Sequence, residues 1–458
     1  MIFQQYYLGC LSHASYLIGD GATGRAVVVD PQRDVAAYLT DAERAGVRIE
    51  RVVETHFHAD HVSGHLEIAA QTGAGIWYGQ GAAADYPIGN LRDGERIILG
   101  EVVLEVRATP GHTPESISLV VYERAGDQVP YAVLTGDALF IGDVGRPDLL
   151  ASAGQTPEHM ARQLFHSLHD QLLTLPDETR VYPGHGAGSA CGRSLSTETS
   201  STIGEQRRSN YALRPMSEEE FVTMVTEGQP TSPAYFAFDA QLNRQQHPLL
   251  REDEAPRTLT LAELLDLQRD GACLLDTRSP TDFVAGHLRG AINVALQGRF
   301  AEYAGDVVRP DRPLVLVCDP GTEAEARNRL ARIGFDDVVG CLDDPVLALA
   351  SRPELVDQSS RLTVVELGRR MESVPGLVVL DVRNPAELER GVIPGSVHLP
   401  LPRLMDGFGE LDPSRPTVVH CASGLRSVIA ASFLAAAGFV DASDLLGGFD
   451  AWAANPPA

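Results

Sequence analysis

The segment LLDTRSPTDFVAGHLRGAINVAL at 274–296 returns in degenerate form as VLDVRNPAELERGVIPGSVHLPL at 379–401, an offset of 105 residues. Asp276 aligns with Asp381, Arg278 with Arg383, Gly286 with Gly391 and Gly290 with Gly395. Further on, PLVLVCDPGTEAEA at 313–326 faces PTVVHCASGLRSVI at 416–429, which sets Cys318 opposite Cys421. Self-similarity at this period is one domain copied in tandem. Within each copy, short Val/Leu-rich runs (LVLVC, TVVHC) alternate with helical patterns (EAEARNRLARIGF, SVIAASFLAAAGF), which predicts a parallel sheet covered by helices. The C-terminal half must therefore hold two α/β domains, and the length of 458 residues leaves room for one more at about 150 residues per domain.

The first half reads differently. Strand-like runs at 25–30, 50–56, 102–112, 117–123 and 131–137 outnumber the helical stretches at 62–72 and 157–174, which predicts stacked sheets with helices outside. A polar, then Pro-containing stretch leads to about 256, giving expected domains at 1–250, 257–355 and 356–458. The formal charge of −25 argues against a nucleic-acid grip or an anionic membrane surface as partner. No apolar run is long enough for a membrane span, and the opening MIFQQYYLGC lacks the basic and apolar regions of a secretory signal, so a cytoplasmic protein is expected. Six dispersed cysteines agree with a reducing compartment, and Cys10, Cys273 and Cys341, in or beside apolar runs, read as structural.

Four segments of the first half concentrate metal-binding side chains. His56-Phe57-His58-Ala59-Asp60-His61 closes one apolar run, and Thr109-Pro110-Gly111-His112 and Thr135-Gly136-Asp137 close two others. The fourth is Tyr182-Pro183-Gly184-His185. Imidazoles and carboxylates at strand ends of one sheet can converge on a single ion.

Together these segments resemble the metallo-β-lactamase superfamily over about residues 1–250, which implies an αββα sandwich with the metal at one edge of the paired sheets. The resemblance implies two ligand arrangements. Binuclear zinc hydrolases such as glyoxalase II use the equivalents of His56, His58 and His112 at one ion, Asp60, His61 and His185 at the other, and Asp137 as bridge. Persulfide dioxygenases bind one Fe(II) through the equivalents of His56, His112 and Asp137, leaving His58, Asp60, His61 and His185 as outer partners. The runs GDVGRPD at 142–148 and HGAGSACG at 185–192 resemble the dioxygenases more. Arg146 is either an ordinary surface arginine or a donor for the carboxylate of a thiol cofactor such as glutathione. Cys191 is either core filler or a reactive thiol that accepts or relays sulfane sulfur.

In the last copy, His420-Cys421-Ala422-Ser423-Gly424-Leu425-Arg426-Ser427 joins a strand to a helix, so backbone N–H groups and Arg426 can stabilise a thiolate at Cys421. This loop resembles the rhodanese active site. The earlier copy continues Cys318-Asp319-Pro320-Gly321-Thr322-Glu323, with one donor lost at Pro320 and negative charge added, so it reads as catalytically silent.

The whole order is similar to the multidomain persulfide dioxygenase-sulfurtransferases of bacterial sulfide detoxification. That similarity implies one Fe(II) per chain, with zinc as the alternative, and a glutathione persulfide or similar small persulfide oxidised by O₂ to sulfite. It further implies sulfur transfer through Cys421, with thiosulfate formed or consumed, in a homo-oligomer that binds neither nucleic acid nor membrane. The rival readings are a zinc thioester hydrolase and a persulfide-responsive binding module.

Overall fold

A computed structural model describes residues 1–149, 154–193 and 195–456, so Ser194 of the polar stretch and the last two residues of the third expected domain lie outside the described residues. The chain forms two compact units, Met1–Pro230 with Phe236–Leu250, and Thr231–Tyr235 with Arg251–Ala458.

The first unit holds two six-stranded sheets. One orders β1 (Ile2–Leu8), β2 (His13–Asp20), β3 (Arg25–Val29), β4 (Arg48–Val53), β5 (Gly75–Gly79) and β6 (Gly89–Leu91) side by side in chain order. The other orders β7 (Arg96–Ile98), β8 (Val103–Ala108), β9 (Ile117–Tyr122), β10 (Ala132–Gly136), β11 (Arg180–Pro183) and β12 (Ser201–Thr202). Each sheet starts antiparallel, and strands β3 to β6 and the pair β10–β11 run parallel. Because side chains alternate faces along a strand, the apolar runs serve two cores at once. Ile18, Val27, Val29, Leu104, Leu119 and Val121 meet between the sheets, while Leu17, Val28 and Val52 pack outward on helix Ala36–Ala45. Val120, Val133 and Val181 likewise face helices Pro157–His166 and Glu218–Thr226. Burial on both faces explains why AVVV and YAVL are apolar throughout instead of alternating, and the result is the expected αββα sandwich.

In the second unit two five-stranded parallel sheets repeat one strand order. The first is β13 (Thr258–Leu259), β18 (Val338–Leu342), β17 (Leu314–Val317), β14 (Cys273–Asp276) and β16 (Ile292–Asn293). The short strands β15 (His287–Leu288) and β19 (Val356–Asp357) pair apart from it. The second sheet is β20 (Ser360–Leu362), β24 (Ala442–Leu445), β23 (Thr417–His420), β21 (Val378–Asp381) and β22 (Val397–His398). Each buries the same ion pair, Arg278 Nη2 on Asp276 Oδ2 at 2.5 Å and Arg383 Nη2 on Asp381 Oδ2 at 2.6 Å. Cys318 and Cys421 each follow the central strand at its carboxyl end, where ligand sites form in open parallel sheets.

Candidate metal centre and sulfur-transfer loops

His56 follows β4, His112 lies in the β8–β9 turn, Asp137 follows β10 and His185 follows β11. The loops bring three ligand atoms together: His112 Nε2 is 3.5 Å and His56 Nε2 is 3.9 Å from Asp137 Oδ2. His56 Nε2 and Asp137 Oδ2 are buried with no hydrogen-bond partner among the described residues. A buried polar atom left without a partner calls for an explanation, and a metal ion fits this donor set. The opposite ring nitrogens fix the tautomers. Thr55 Oγ1 donates to Asp30 Oδ2 at 2.8 Å and so accepts from His56 Nδ1 at 2.9 Å. His112 Nδ1 donates to the Arg146 carbonyl at 3.0 Å. Both Nε2 lone pairs are thereby left for an ion. Burial holds His56 and His112 below the usual histidine range, which keeps them neutral as a ligand must be.

His185 lies between two carboxylates, with Nδ1 2.8 Å from Asp137 Oδ1 and Nε2 2.7 Å from Asp60 Oδ2. Burial opposes a charge on it, but Asp137 and Asp60 prevail and raise its pKa to about 10. His58 turns Nε2 toward Asp30 Oδ1 at 3.2 Å and Glu54 Oε2 at 3.3 Å, and these carboxylates raise it despite its burial. His61 contacts Asp60 at 3.3 Å. The Cys191 thiol is buried beside Asp60 and His185, the three ligand atoms lying within 4.8 Å of one another. Burial, then the charges of Asp60 and Asp137, hold that thiol well above the usual cysteine range.

In the second unit the loop after β23 turns a donor onto sulfur: Gly424 N–H points at Cys421 Sγ at 3.1 Å, while the Cys421 thiol donates to Ser427 Oγ at 3.8 Å. Gly424 has φ +100°, a value that favours glycine. Gly448 approaches the loop so closely that a Cβ there would lie 2.4 Å from the Cys421 carbonyl oxygen. Arg426 pairs with Glu387 through two contacts of 2.7 Å. Cys318 is equally buried, but its hydrogen bond to Cys341, with burial behind it, holds its thiol well above the usual range.

The metallo-beta-lactamase superfamily model matches residues 8–185, and the rhodanese-like domain model matches twice, at 260–345 and 363–455. Persulfide dioxygenase ETHE1, mitochondrial, of Bos taurus is 32% identical over 235 residues, covering 50% of this chain and 82% of that protein. The chain belongs to the metallo-β-lactamase superfamily and carries tandem rhodanese-like domains. A hydroxyacylglutathione hydrolase of Rhodospirillum rubrum is 32% identical, covering 52% of this chain and 83% of that protein. A metallo-beta-lactamase of Staphylococcus aureus matches in three dimensions with TM-score 0.67 and 34% identity, over 75% of this chain and 99% of its own, so the likeness runs past the first unit.

Within the metallo-β-lactamase domain the surface reading of Arg146 is overturned by its burial. Arg146, read as a surface arginine or as a donor to substrate, is buried, with Nη2 on Asp148 Oδ2 at 2.7 Å and Nη1 on the Ala190 carbonyl at 3.0 Å. It clamps the GDVGRPD segment to the run that carries Cys191. Gly145 explains that segment's glycine: a Cβ there would lie 1.8 Å from the Asp137 carbonyl oxygen.

Several residues escaped the sequence reading. Asp30 and Glu54 hold His58, and Asn243 donates Nδ2 to the His58 and His61 carbonyls at 2.9 and 2.7 Å while Oδ1 accepts from Ser63 N at 2.9 Å. His13 is buried with its ring 4.0 Å from that of His61, and neither nitrogen has a partner among the described residues. The carboxylate closing VVVD was a usable signal for Asp30; Asn243 and His13 had none.

Proposed function

We propose that the metallo-β-lactamase domain is a mononuclear Fe(II) persulfide dioxygenase and that the second rhodanese-like domain transfers sulfur through Cys421. The observation that carries this reading is the buried, otherwise unpartnered pair His56 Nε2 and Asp137 Oδ2, gathered with His112 in one donor set. Asp137 Oδ1 and Asp60 Oδ2 also contact His185, the imidazole that the binuclear arrangement would place on its second ion. Two neutral imidazoles and one carboxylate oxygen are the set that suits Fe(II) with open positions, and His58, Asp60 and His61 form a second donor cluster. Iron bound there supplies those positions and the redox chemistry that oxygenation of sulfur requires.

The chain's own groups do the rest. Thr55 and the Arg146 carbonyl aim the two histidines, and the His185 cation keeps Asp137 ionised. The burial of His56, His58, His61, His112 and His185 holds their rings in fixed positions. The proposed overall reaction is R–S–SH + O₂ + H₂O giving R–SH + sulfite + 2 H⁺, with glutathione persulfide or a similar small persulfide as substrate. At Cys421 the Gly424 N–H and the start of helix Leu425–Ala436 stabilise a thiolate and then a persulfide, for transfer to or from sulfite.

Likeness to a hydroxyacylglutathione hydrolase favours a second reading, a binuclear zinc hydrolase of a glutathione thioester. Oxygen uptake with glutathione persulfide, with metal quantified in the same sample, tests both. One iron per chain with stoichiometric O₂ uptake is expected; two zinc ions per chain and no O₂ uptake would overturn the dioxygenase.

A further inference from the structure

Inside the second unit, a cavity of about 490 Å³ opens at the seam of the two rhodanese-like domains. Ile292 and Val307 of the first domain and Phe408, Phe433 and Ala436 of the second give it apolar walls. Its rim is cationic. Arg309 and Arg312 both line it, both are exposed, and neither guanidinium has an ion pair among the described residues. Arg312 N donates to the Arg309 carbonyl at 3.3 Å, closing a turn with Pro310 as its second residue and holding both side chains at the same rim.

Two arginines without an ion pair share one rim in a chain with 62 acidic and 37 basic residues. Arg289 with Asp357 and Arg361 with Asp444 are paired in the same unit. Arg312 and Cys273 line the same cavity, and burial pushes the Cys273 thiol up to about 11 against the opposing charge of Arg312. A half-open cavity of this size whose lining is polar and apolar in equal part can take a small molecule with both kinds of surface, and a planar guanidinium pair suits a carboxylate or sulfonate.

We propose that this cavity binds a small amphiphilic organic anion, with its charged head on Arg309 and Arg312 and its hydrocarbon body between Ile292, Val307 and Phe433. The site needs both domains, which gives the first copy a use that does not depend on Cys318. The helix that follows the active loop ends at the cavity. Phe433 and Ala436 sit near the end of helix Leu425–Ala436, whose first turn follows Gly424, and Ser432 Oγ on the same helix accepts from Asn293 N of β16 at 2.9 Å. The inference is independent of the reaction assigned to the metal centre.

Calorimetric titration of the full chain with octanesulfonate, and with octanol as the uncharged control, tests it. One saturable site per chain is expected, weakened at least tenfold in the Arg309→Ala/Arg312→Ala variant, largely kept in Arg312→Lys and lost in Ala436→Phe, which fills the chamber. Both arginines are exposed, so the double variant keeps the fold even if Ala436→Phe does not. Saturating octanesulfonate should also slow alkylation of Cys273 by iodoacetamide several-fold, followed peptide by peptide. Absence of saturable binding, equal binding of octanol, unchanged affinity in the double variant or unprotected Cys273 would each overturn the site.

Discussion

Glu323 holds, in the first rhodanese-like domain, the place that Arg426 holds in the second, and its carboxylate takes the loop's glycine N–H for itself. Gly321 N donates to Glu323 Oε1 at 3.0 Å, whereas the corresponding Gly424 N points at Cys421 Sγ. A negative group thus fills the anion cradle of the first copy. Cys421→Ser should reduce sulfur transfer from thiosulfate to cyanide to background, and Cys318→Ser should change it little. Glu323→Arg alone should not awaken Cys318, because Pro320 lacks an N–H and the neighbouring Cys341 and burial still hold the Cys318 thiol up. Retained transfer in the Cys421 variant would reverse the assignment.

At the metal centre, His112→Ala and Asp137→Ala should leave too few donors to hold iron, and both iron content and O₂ uptake should collapse. Replacement of His58 or Asp60 should lower activity by about 10–100-fold while sparing more of the iron, as expected of groups that orient ligands. Equal, complete metal loss from both sets would favour the binuclear site.

The parts of this arrangement that were legible in the sequence are those repeated at strand ends. Apolar runs closing in THFHADH, TPGH, TGD and PGH announced the donors, and the tandem repeat announced two like sheets. What stayed hidden depends on contacts between distant segments. Asn243 meets the histidine loop only because the 236–242 helix delivers it there, and His13 joins the histidine cluster through a strand start that bridges to His185. Cys341 read as filler because nothing in an apolar strand indicates that Cys318 lies within hydrogen-bonding reach. Arg146 read as a surface or substrate-binding group because its partners, two and 44 residues away, include a backbone carbonyl.

The His185 bridge carries a pH signature in the metal-free chain. Its pKa is raised from the ordinary 6.5 to about 10, so the stabilisation is fully present below about 6.5 and is lost as pH climbs through 10. Melting temperature of metal-free protein should therefore fall across this interval by more in the wild type than in His185→Gln. Parallel curves would show that the bridge contributes nothing to stability.

Asn243→Ala removes one amide from three backbone groups at once. With the His58 and His61 carbonyls and Ser63 N left unpaired in a buried setting, the cost should be on the order of 3 kcal/mol. Chemical denaturation of the full chain, read by the midpoint of the first transition, checks it, and iron retention should drop in step.

If sulfur passes from one active group to the other without release, the intact chain given a persulfide should yield thiosulfate in preference to sulfite. A chain cut near residue 250 should release mainly sulfite, since linkage supplies an effective concentration of about millimolar for short tethers. Cys191→Ser should move the intact chain toward the cut chain's product ratio without loss of iron. Identical ratios in all three would leave two independent activities.

The Asn243 amide also sets an order of events on the ribosome. It closes on a histidine loop whose last member, His61, was made 182 residues earlier. At about 5–20 residues per second, that interval lasts on the order of ten seconds or longer. Until then the nascent histidines lack their final brace, and any ion they catch is exchangeable. Faithful choice of metal thus falls to the moment when the domain's last helix arrives, and a polypeptide released short of it would carry every ligand and still load its metal poorly.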